Sequence, residues 1–167
     1  DNGLYEIGDC VFNVMSVFND PDDYILSKNI NTDKTKIALY HGSVENATTD
    51  VGFKLPGEVT TDIFTGYDMV LLGDIHKQQY LNKQKTIAYA GSLVCQNWGE
   101  HPTNHGYIKW DTSKRKPEYR IIENDYAYVT LEVENGKIVN EIPLPKYPRM
   151  RIKVCKTEES QLKKILA

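Results

Sequence analysis

Two segments of the sequence place side chains that can bind metals directly after apolar runs. His41 follows the run in "KIALYHG", and Asp74 and His76 follow the run in "YDMVLLGDIH". Both runs are typical of buried β-strands, and side chains at the ends of such strands can converge on one edge of a sheet. In an extended chain, residues 74 and 76 point to the same side. The pattern therefore predicts that His41, Asp74 and His76 lie together at a sheet edge.

The chemistry that these three side chains offer is metal binding. Imidazole suits borderline transition metals, whereas carboxylate suits harder ions such as Mn²⁺. Two histidines with one aspartate therefore favour manganese, iron or zinc over calcium. Each residue also has an ordinary alternative role, because histidines at strand ends are often solvated and an aspartate in a turn often accepts from a nearby backbone N–H.

The elements that must position these residues are predicted to be short strands separated by turns. One or two strands meeting near Gly8-Asp9 are expected in residues 5–18, and residues 58–64 are assigned to a short helix. Further buried strands are predicted at residues 36–42, 67–74 and 85–92, each with a glycine at or near its end.

The rest of the chain is also predicted to be mainly extended. Asn135-Gly136 between two alternating runs indicates a β-hairpin, because both residue types accept positive φ. Residues 157–167 have the spacing of a short amphipathic helix. The predicted strands cover residues 105–111, 118–122, 127–144 and 149–154.

A proline-rich segment suggests where the chain divides. Residues 143–148, "PLPKYP", contain three prolines in six residues. We expect a main domain over residues 1–142, a linker over 143–148, and the start of a small capping or DNA-binding domain over 149–167. The fold class predicted for the main domain is sheet-rich α/β.

Composition excludes several classes of protein. With 167 residues, 40% hydrophobic and 26% charged, the chain can bury a substantial core. The formal charge of −3 gives no net attraction to nucleic acid, so DNA binding would require a local basic patch or bound metal ions. Three widely spaced cysteines indicate neither a disulfide framework nor a zinc site built only from thiolates. They favour a reducing compartment, either cytoplasm or nucleus.

No apolar run approaches the roughly 20 residues that span a bilayer, so no contact with a membrane is expected. The chain begins without methionine and reaches a strand pattern within a few residues. We therefore expect it to be a piece of something longer.

The ordered set of motifs in this chain resembles one protein family. "LYHG", "LLGDIHKQQ", "IAYAGS", "WGE" and "HGYIKWD" follow one another as in the second half of calcineurin-like metallophosphoesterases. The resemblance is greatest to the DNA-repair nuclease branch that contains bacterial SbcD and its archaeal, eukaryotic and phage relatives. It covers about residues 5–142, with the densest matches from 37 to 111.

The resemblance implies an α/β fold, the β-rich half of a sandwich whose sheets are flanked by helices. It also implies a two-metal site that hydrolyses DNA phosphodiesters, most suitably with Mn²⁺; Fe²⁺, Zn²⁺ and Mg²⁺ also fit. His41 and Asp74 would bind one ion and His76 its neighbour. The resemblance also implies DNA, an SbcC-like coiled-coil ATPase and a second copy of the chain as partners. Such a protein could be encoded by a phage or a virus.

Two features depart from the family pattern. Asp74 stands where histidine is the commoner family residue, and we expect its carboxylate to act as a ligand. Residues 1–40 contain no histidine, and hence neither the Asp-x-His nor the Gly-Asn-His motif that supplies the family's first ligands and its leaving-group histidine. The N-terminal half of the site would have to come from elsewhere, so the isolated chain is expected to be inactive.

Three further residues are candidates for substrate binding, namely Lys77, Ser92 and His101. Ordinary loop and turn roles are the alternative for each. Two other functions stay open for the chain as a whole: a calcineurin-like phosphatase or nucleotide hydrolase, and a degenerate module that binds DNA or an ATPase without cleaving.

Overall fold

The computed structural model describes residues 2–166, apart from the side chain of Leu166. These residues form two compact units. The first unit contains the chain up to Ser92 together with Gly106–Ile121, and the second contains Leu93–His105 and the chain from Ile122 onward. The predicted boundary at 143–148 therefore lies inside the second unit.

The first unit is built on a six-stranded sheet. Its strands are β1 (Gly3–Ile7), β2 (Cys10–Met15), β3 (Thr35–His41), β4 (Met69–Gly73), β5 (Gln79–Tyr80) and β6 (Ile87–Tyr89). Their order across the sheet is β1-β2-β3-β4-β6-β5. The four inner strands are parallel, and the two edge strands pair antiparallel with their neighbours. The strands predicted within residues 5–18, 36–42, 67–74 and 85–92 are confirmed.

The prediction of an α/β fold with sheets flanked by helices is wrong. Within residues 2–166 the only α-helix is α1, Glu159–Leu166, which belongs to the second unit. Loops and 3-10 helices of three or four residues connect the parallel strands instead. The connecting segments are rich in proline, glycine, threonine and aspartate, which favour turns over continuous helix. The predicted helix at 58–64 is a single 3-10 helix, Thr61–Phe64.

The two faces of the six-stranded sheet differ in burial because side chains alternate along each strand. One face forms the main core of the unit, with Ala38, Tyr40 and Val70 fully or almost fully buried. Towards the carboxyl ends of the inner strands, the other face is only half-buried, at Val14, Leu39 and Leu71 among others. His41, at the end of β3, belongs to this second face.

Two strands complete the first unit as a hairpin, β7 (Gly106–Asp111) and β8 (Lys116–Ile121). The second unit contains β9 (Tyr126–Glu134), β10 (Lys137–Ile138), β11 (Tyr147–Cys155) and α1. The predicted hairpin at Asn135-Gly136 is confirmed, since both residues have positive φ, 49° and 75°. Among residues 2–166, none of the helices has the length and apolar character required to cross a membrane.

Candidate metal centre

His41 ends β3 directly beside the end of β4. In the parallel pairing of these strands, His41 is the register partner of Gly73. A β-carbon on residue 73 would come within 2.6 Å of the His41 Cδ2 atom. The imidazole ring therefore occupies the space beside residue 73, and a side chain at this position would displace it. The pairing places His41, the first candidate ligand, next to the backbone that continues into Asp74, the second.

The turn that follows β3 is held by a buried phenol. The Tyr89 hydroxyl donates to the carbonyl oxygen of Gly42 over 2.7 Å and accepts from the N–H of Val44 over 2.9 Å. Burial raises the pKa of Tyr89 to about 12, and the nearby carboxylates of Asp74 and Glu58 add to the shift. The hydroxyl therefore stays protonated and keeps both hydrogen bonds at neutral pH.

Asp74 lies just beyond the end of β4 and adopts an unusual backbone conformation. Its φ is +92°, a region that residues with a side chain rarely occupy and that aspartate tolerates better than most. Asp74 and His76 are exposed, whereas Ile75 between them is half-buried against the main core. The regular strand ends at Gly73, but the burial pattern still places residues 74 and 76 on the outer side of the chain.

The backbone of His76 is fixed by the turn after β6. Its carbonyl oxygen accepts from the N–H of Ser92 over 3.0 Å. Gly91 has a φ of +79°, and a β-carbon there would lie 2.7 Å from the same His76 oxygen. Only glycine permits this approach without displacement. The "AGS" turn thus has a clear physical role beside the third candidate ligand.

A loop from the β3–β4 connection is bound to the same region. The Gln79 amide accepts from the Thr48 N–H and donates to the Thr48 carbonyl oxygen, both over 2.9 Å. The ammonium of Lys77 donates to Thr48 Oγ1 over 3.0 Å and to the carbonyl oxygen of Thr49 over 3.4 Å. Lys77, a candidate for substrate contact, therefore has a structural role in holding this loop.

His41 lies at the end of β3 beside the end of β4, and the backbone of His76 is bonded to the turn after β6. The side chains of His41, Asp74 and His76 do not form a tight trio. Over residues 2–166, the group of three metal-ligating side chains whose ligand atoms all lie within 4.8 Å of one another is a different one, Cys95, Glu100 and His105.

The other two candidates for substrate binding occupy different units. Ser92 is buried in the first unit, where its backbone accepts from Gly106 N–H over 3.2 Å and donates to His76. His101 lies in the second unit. Its Nδ1 accepts from the Thr103 N–H over 3.3 Å, and its carbonyl oxygen accepts from the His105 ring over 2.6 Å.

A cleft of about 510 Å³ opens beside His41 on the half-buried face of the sheet. Its lining is mainly apolar, with Val14, Leu39 and Leu71 contributing alongside the exposed Phe18. Apolar walls suit packing by another protein segment better than they suit a phosphate group.

Sequence reasoning missed the residues that support the candidate ligands. The sequence identifies Tyr89 as part of the motif "IAYAGS". It does not reveal the hydrogen bond from Tyr89 to Gly42, which lies 47 positions earlier in the chain. The hydroxyl of Tyr40 donates to Glu58 over 3.0 Å, and burial together with this bond raises the pKa of Tyr40. In the sequence, these residues appear only as tyrosines within predicted strands and a glutamate at the start of a predicted helix. Such residues are too common to indicate hydrogen bonds around a functional site.

Comparisons with known proteins identify a viral relative of this chain but do not assign the chain to a family. No family model matches the chain. An uncharacterized protein of Acanthamoeba polyphaga mimivirus is 41% identical over 175 aligned residues, which cover 99% of this chain and 13% of the viral protein. The chain thus spans about 13% of the length of the curated relative that it matches.

Proposed function

We propose that this chain supplies part of a two-metal site that hydrolyses DNA phosphodiesters, as in the DNA-repair nucleases that its motifs resemble. The observation that carries the proposal is the register pairing of His41 with Gly73. It sets an imidazole beside the residue that precedes Asp74, at the edge of the sheet where His76 also emerges. In the proposed site, His41 and Asp74 bind one divalent ion and His76 binds the other, with Mn²⁺ as the most suitable metal.

The spacing of a two-metal site is consistent with the open arrangement of the three side chains. Two ions that clamp a phosphodiester lie about 3.5–4 Å apart, so ligands of different ions need not approach one another closely. The strained φ of Asp74 also supports a functional role, because such backbone conformations cluster at active sites. Its carboxylate would offset part of the charge of the two ions.

The remaining ligands would come from another protein segment. The candidate is the N-terminal half of the same domain, which would bring the leaving-group histidine and cover the apolar cleft beside His41. Alignment with a small part of a much longer viral protein supports a role within a larger assembly. An SbcC-like ATPase and a second copy of the chain are the other proposed partners. We also propose that the protein is encoded by a virus or phage and acts in a reducing compartment.

A basic and aromatic surface in the second unit supports DNA as the substrate. Arg149 and Arg151 lie on exposed β11, with their guanidinium groups 5.4 Å from the Tyr128 ring and 5.3 Å from the Trp98 ring, respectively. Arginine beside exposed aromatic rings binds phosphates and stacks on bases. In the proposed function, these two arginines would contact the phosphates of DNA.

Metal titration tests the proposed ligands directly. Isothermal titration calorimetry with MnCl₂ is expected to detect binding by the wild-type chain. The affinity for Mn²⁺ should fall at least about tenfold in His41→Ala and in His76→Ala. Lys77→Ala is the matched control, since its ammonium is engaged with Thr48 and Thr49. Equal Mn²⁺ binding by the wild type and both histidine variants would contradict the assignment.

The substrate class is tested on the chain combined with the N-terminal segment. Cleavage of duplex DNA in preference to a generic phosphomonoester is expected. The opposite preference would favour a phosphatase or nucleotide hydrolase. If neither substrate is cleaved and Mn²⁺ does not bind in the combined protein, the chain is a module that binds without catalysis.

A further inference from the structure

The second unit contains a compact set of three side chains with the chemistry of a metal site. Cys95, Glu100 and His105 present a sulfur, a carboxylate oxygen and a ring nitrogen within 4.8 Å of one another. All three belong to the Leu93–His105 segment of the second unit. They are therefore distinct from the proposed two-metal site, which is built from residues of the first unit.

Two of the three ligand groups are buried and in fixed positions. Cys95 is 7% exposed and His105 is 3% exposed. The Nε2 atom of His105 lies 2.6 Å from the carbonyl oxygen of His101. Because a carbonyl oxygen only accepts, Nε2 carries a proton and donates to it, so Nδ1 is the ring nitrogen that would bind a metal. Histidines that bind metals commonly have this second hydrogen bond to a backbone carbonyl.

The carboxylate of Glu100 is also oriented by neighbouring donors. Its Oε2 accepts from the Gln96 N–H over 2.8 Å, and its Oε1 accepts from the Asn97 side-chain amide over 2.5 Å. Each carboxylate oxygen has two lone pairs, so both bonds can persist while the group binds a cation. Bonds of this kind hold a ligand in position before the metal arrives.

We propose that Cys95, Glu100 and His105 bind one zinc ion, with water in the fourth position. Cysteine, carboxylate and imidazole are all established zinc ligands, and their bond lengths of about 2.0–2.3 Å place tetrahedral ligand atoms about 3.3–3.6 Å apart. The three ligand atoms, which lie within 4.8 Å of one another, would move closer together on binding. On binding, the Cys95 thiol releases its proton to solvent and its sulfur forms the zinc bond.

The cost of this exchange at Cys95 is small. The thiol now lies 3.4 Å from the carbonyl oxygen of Asn97 and 3.8 Å from that of Tyr128. Thiols are weak donors, so the loss of these contacts costs much less than a metal–thiolate bond contributes. All three ligands lie within Leu93–His105, so the ion would cross-link this segment. This site is a structural staple that is independent of phosphodiester hydrolysis.

Cobalt spectroscopy on the full chain tests the site without relying on a variant that must fold. The chain is stripped with a chelator and titrated with CoCl₂. A thiolate-to-cobalt charge-transfer absorption and the d–d spectrum of tetrahedral Co²⁺ are expected with the intensity of one bound ion, whatever binds at the proposed two-metal site, and ZnCl₂ is expected to remove them. Binding without the thiolate absorption, or no binding, would overturn the proposal.

Variants identify which cysteine is the ligand. Cys95→Ser is expected to abolish the thiolate absorption, whereas Cys155→Ser, which removes an exposed cysteine of the same unit, should retain it. Glu100→Gln changes a half-exposed residue, so we expect this variant to fold. Its affinity for zinc is expected to fall at least about tenfold. If the absorption persists in Cys95→Ser, or if Glu100→Gln binds zinc as tightly as the wild type, the three side chains are only a hydrogen-bonded cluster. His41→Ala and His76→Ala should leave the absorption unchanged, which separates this result from the test of the proposed nuclease site.

Discussion

The hydroxyl group of Tyr89 donates a 2.7 Å hydrogen bond to the carbonyl oxygen of Gly42. Tyr89→Phe leaves that carbonyl and the Val44 N–H without this partner in a buried position. We expect a loss of about 1–3 kcal/mol in the free energy of unfolding, because buried polar groups without partners are costly. Urea denaturation of the wild type and the variant measures the difference.

Tyr5→Phe is the matched control for this prediction. Tyr5 is 55% exposed, so water can satisfy any group that the substitution frees. Its free energy of unfolding should stay within about 0.5 kcal/mol of the wild type. Equal effects of the two substitutions would show that the Tyr89 bonds contribute no special stability.

Replacing Gly73 tests the position of the His41 ring. In Gly73→Ala the new methyl would lie 2.6 Å from His41 Cδ2, so the imidazole must move. We expect Mn²⁺ affinity to fall at least about tenfold, because a displaced ring no longer faces its ion. Calorimetric titration measures the affinity. Gly3→Ala, on the edge strand β1, is the control and should bind Mn²⁺ as the wild type does.

The turn between β7 and β8 makes a specific prediction about pH. Asp111 accepts from the Ser113 hydroxyl over 2.7 Å and from the Lys114 N–H over 3.0 Å, and these bonds lower its pKa to about 2. Since the folded-state pKa lies below the ordinary value of 3.8, the contribution of Asp111 to stability is complete above that value and is lost as the pH falls towards 2.

The measurement for Asp111 is a carboxyl NMR titration. Ser113→Ala removes the bond with the largest effect, so the pKa of Asp111 should rise towards its ordinary value. Thr112→Ala changes the neighbouring residue of the same turn and should leave the low pKa in place. An unchanged Asp111 titration in Ser113→Ala would exclude the hydroxyl as its cause.

The β9–β10 hairpin predicts a contrast between two adjacent substitutions. Gly136→Ala introduces a side chain at a φ of +75°, which should lower the free energy of unfolding by about 1–2 kcal/mol. Asn135→Gly keeps a residue that adopts positive φ, so its effect should stay within about 0.5 kcal/mol. Thermal unfolding followed by circular dichroism distinguishes them. If Gly136→Ala were as stable as Asn135→Gly, the turn geometry would be incorrect.

Periodicity and turn residues were sufficient to predict most strands of this chain, but not β5 or the connections between the strands. Runs ending at His41 and Gly73 carry enough β-branched and apolar residues to identify buried strands. The expectation of flanking helices came from a family resemblance, and the one helix that the sequence suggested between β3 and β4, at residues 58–64, is a 3-10 helix of four residues. Parallel strands usually need a helical crossover, whereas here loops held by bonds such as Gln79 to Thr48 take its place.

The positions of His41 and Asp74 at the ends of strands were predictable for a similar reason, whereas the hydrogen bonds around them were not. A histidine or aspartate immediately after an apolar run can be recognised from the sequence alone. The bonds from Tyr89 to Gly42 and from Ser92 to His76 depend on pairing between distant segments. The Cys95, Glu100 and His105 group illustrates the same limit, because its spacing matches no common zinc motif and only the folded segment brings the three atoms together.

The alternation of side chains along β3 makes the length of this strand as important as its composition. His41 and Tyr40 lie on opposite faces, the first beside the cleft and the second in the core. A single-residue insertion between Thr35 and Tyr40 would exchange the faces of all the residues that follow it in the strand. The imidazole would then enter the interior and the phenol would face solvent. Related chains that keep this histidine should therefore tolerate many substitutions in the strand, but no insertion or deletion of one residue.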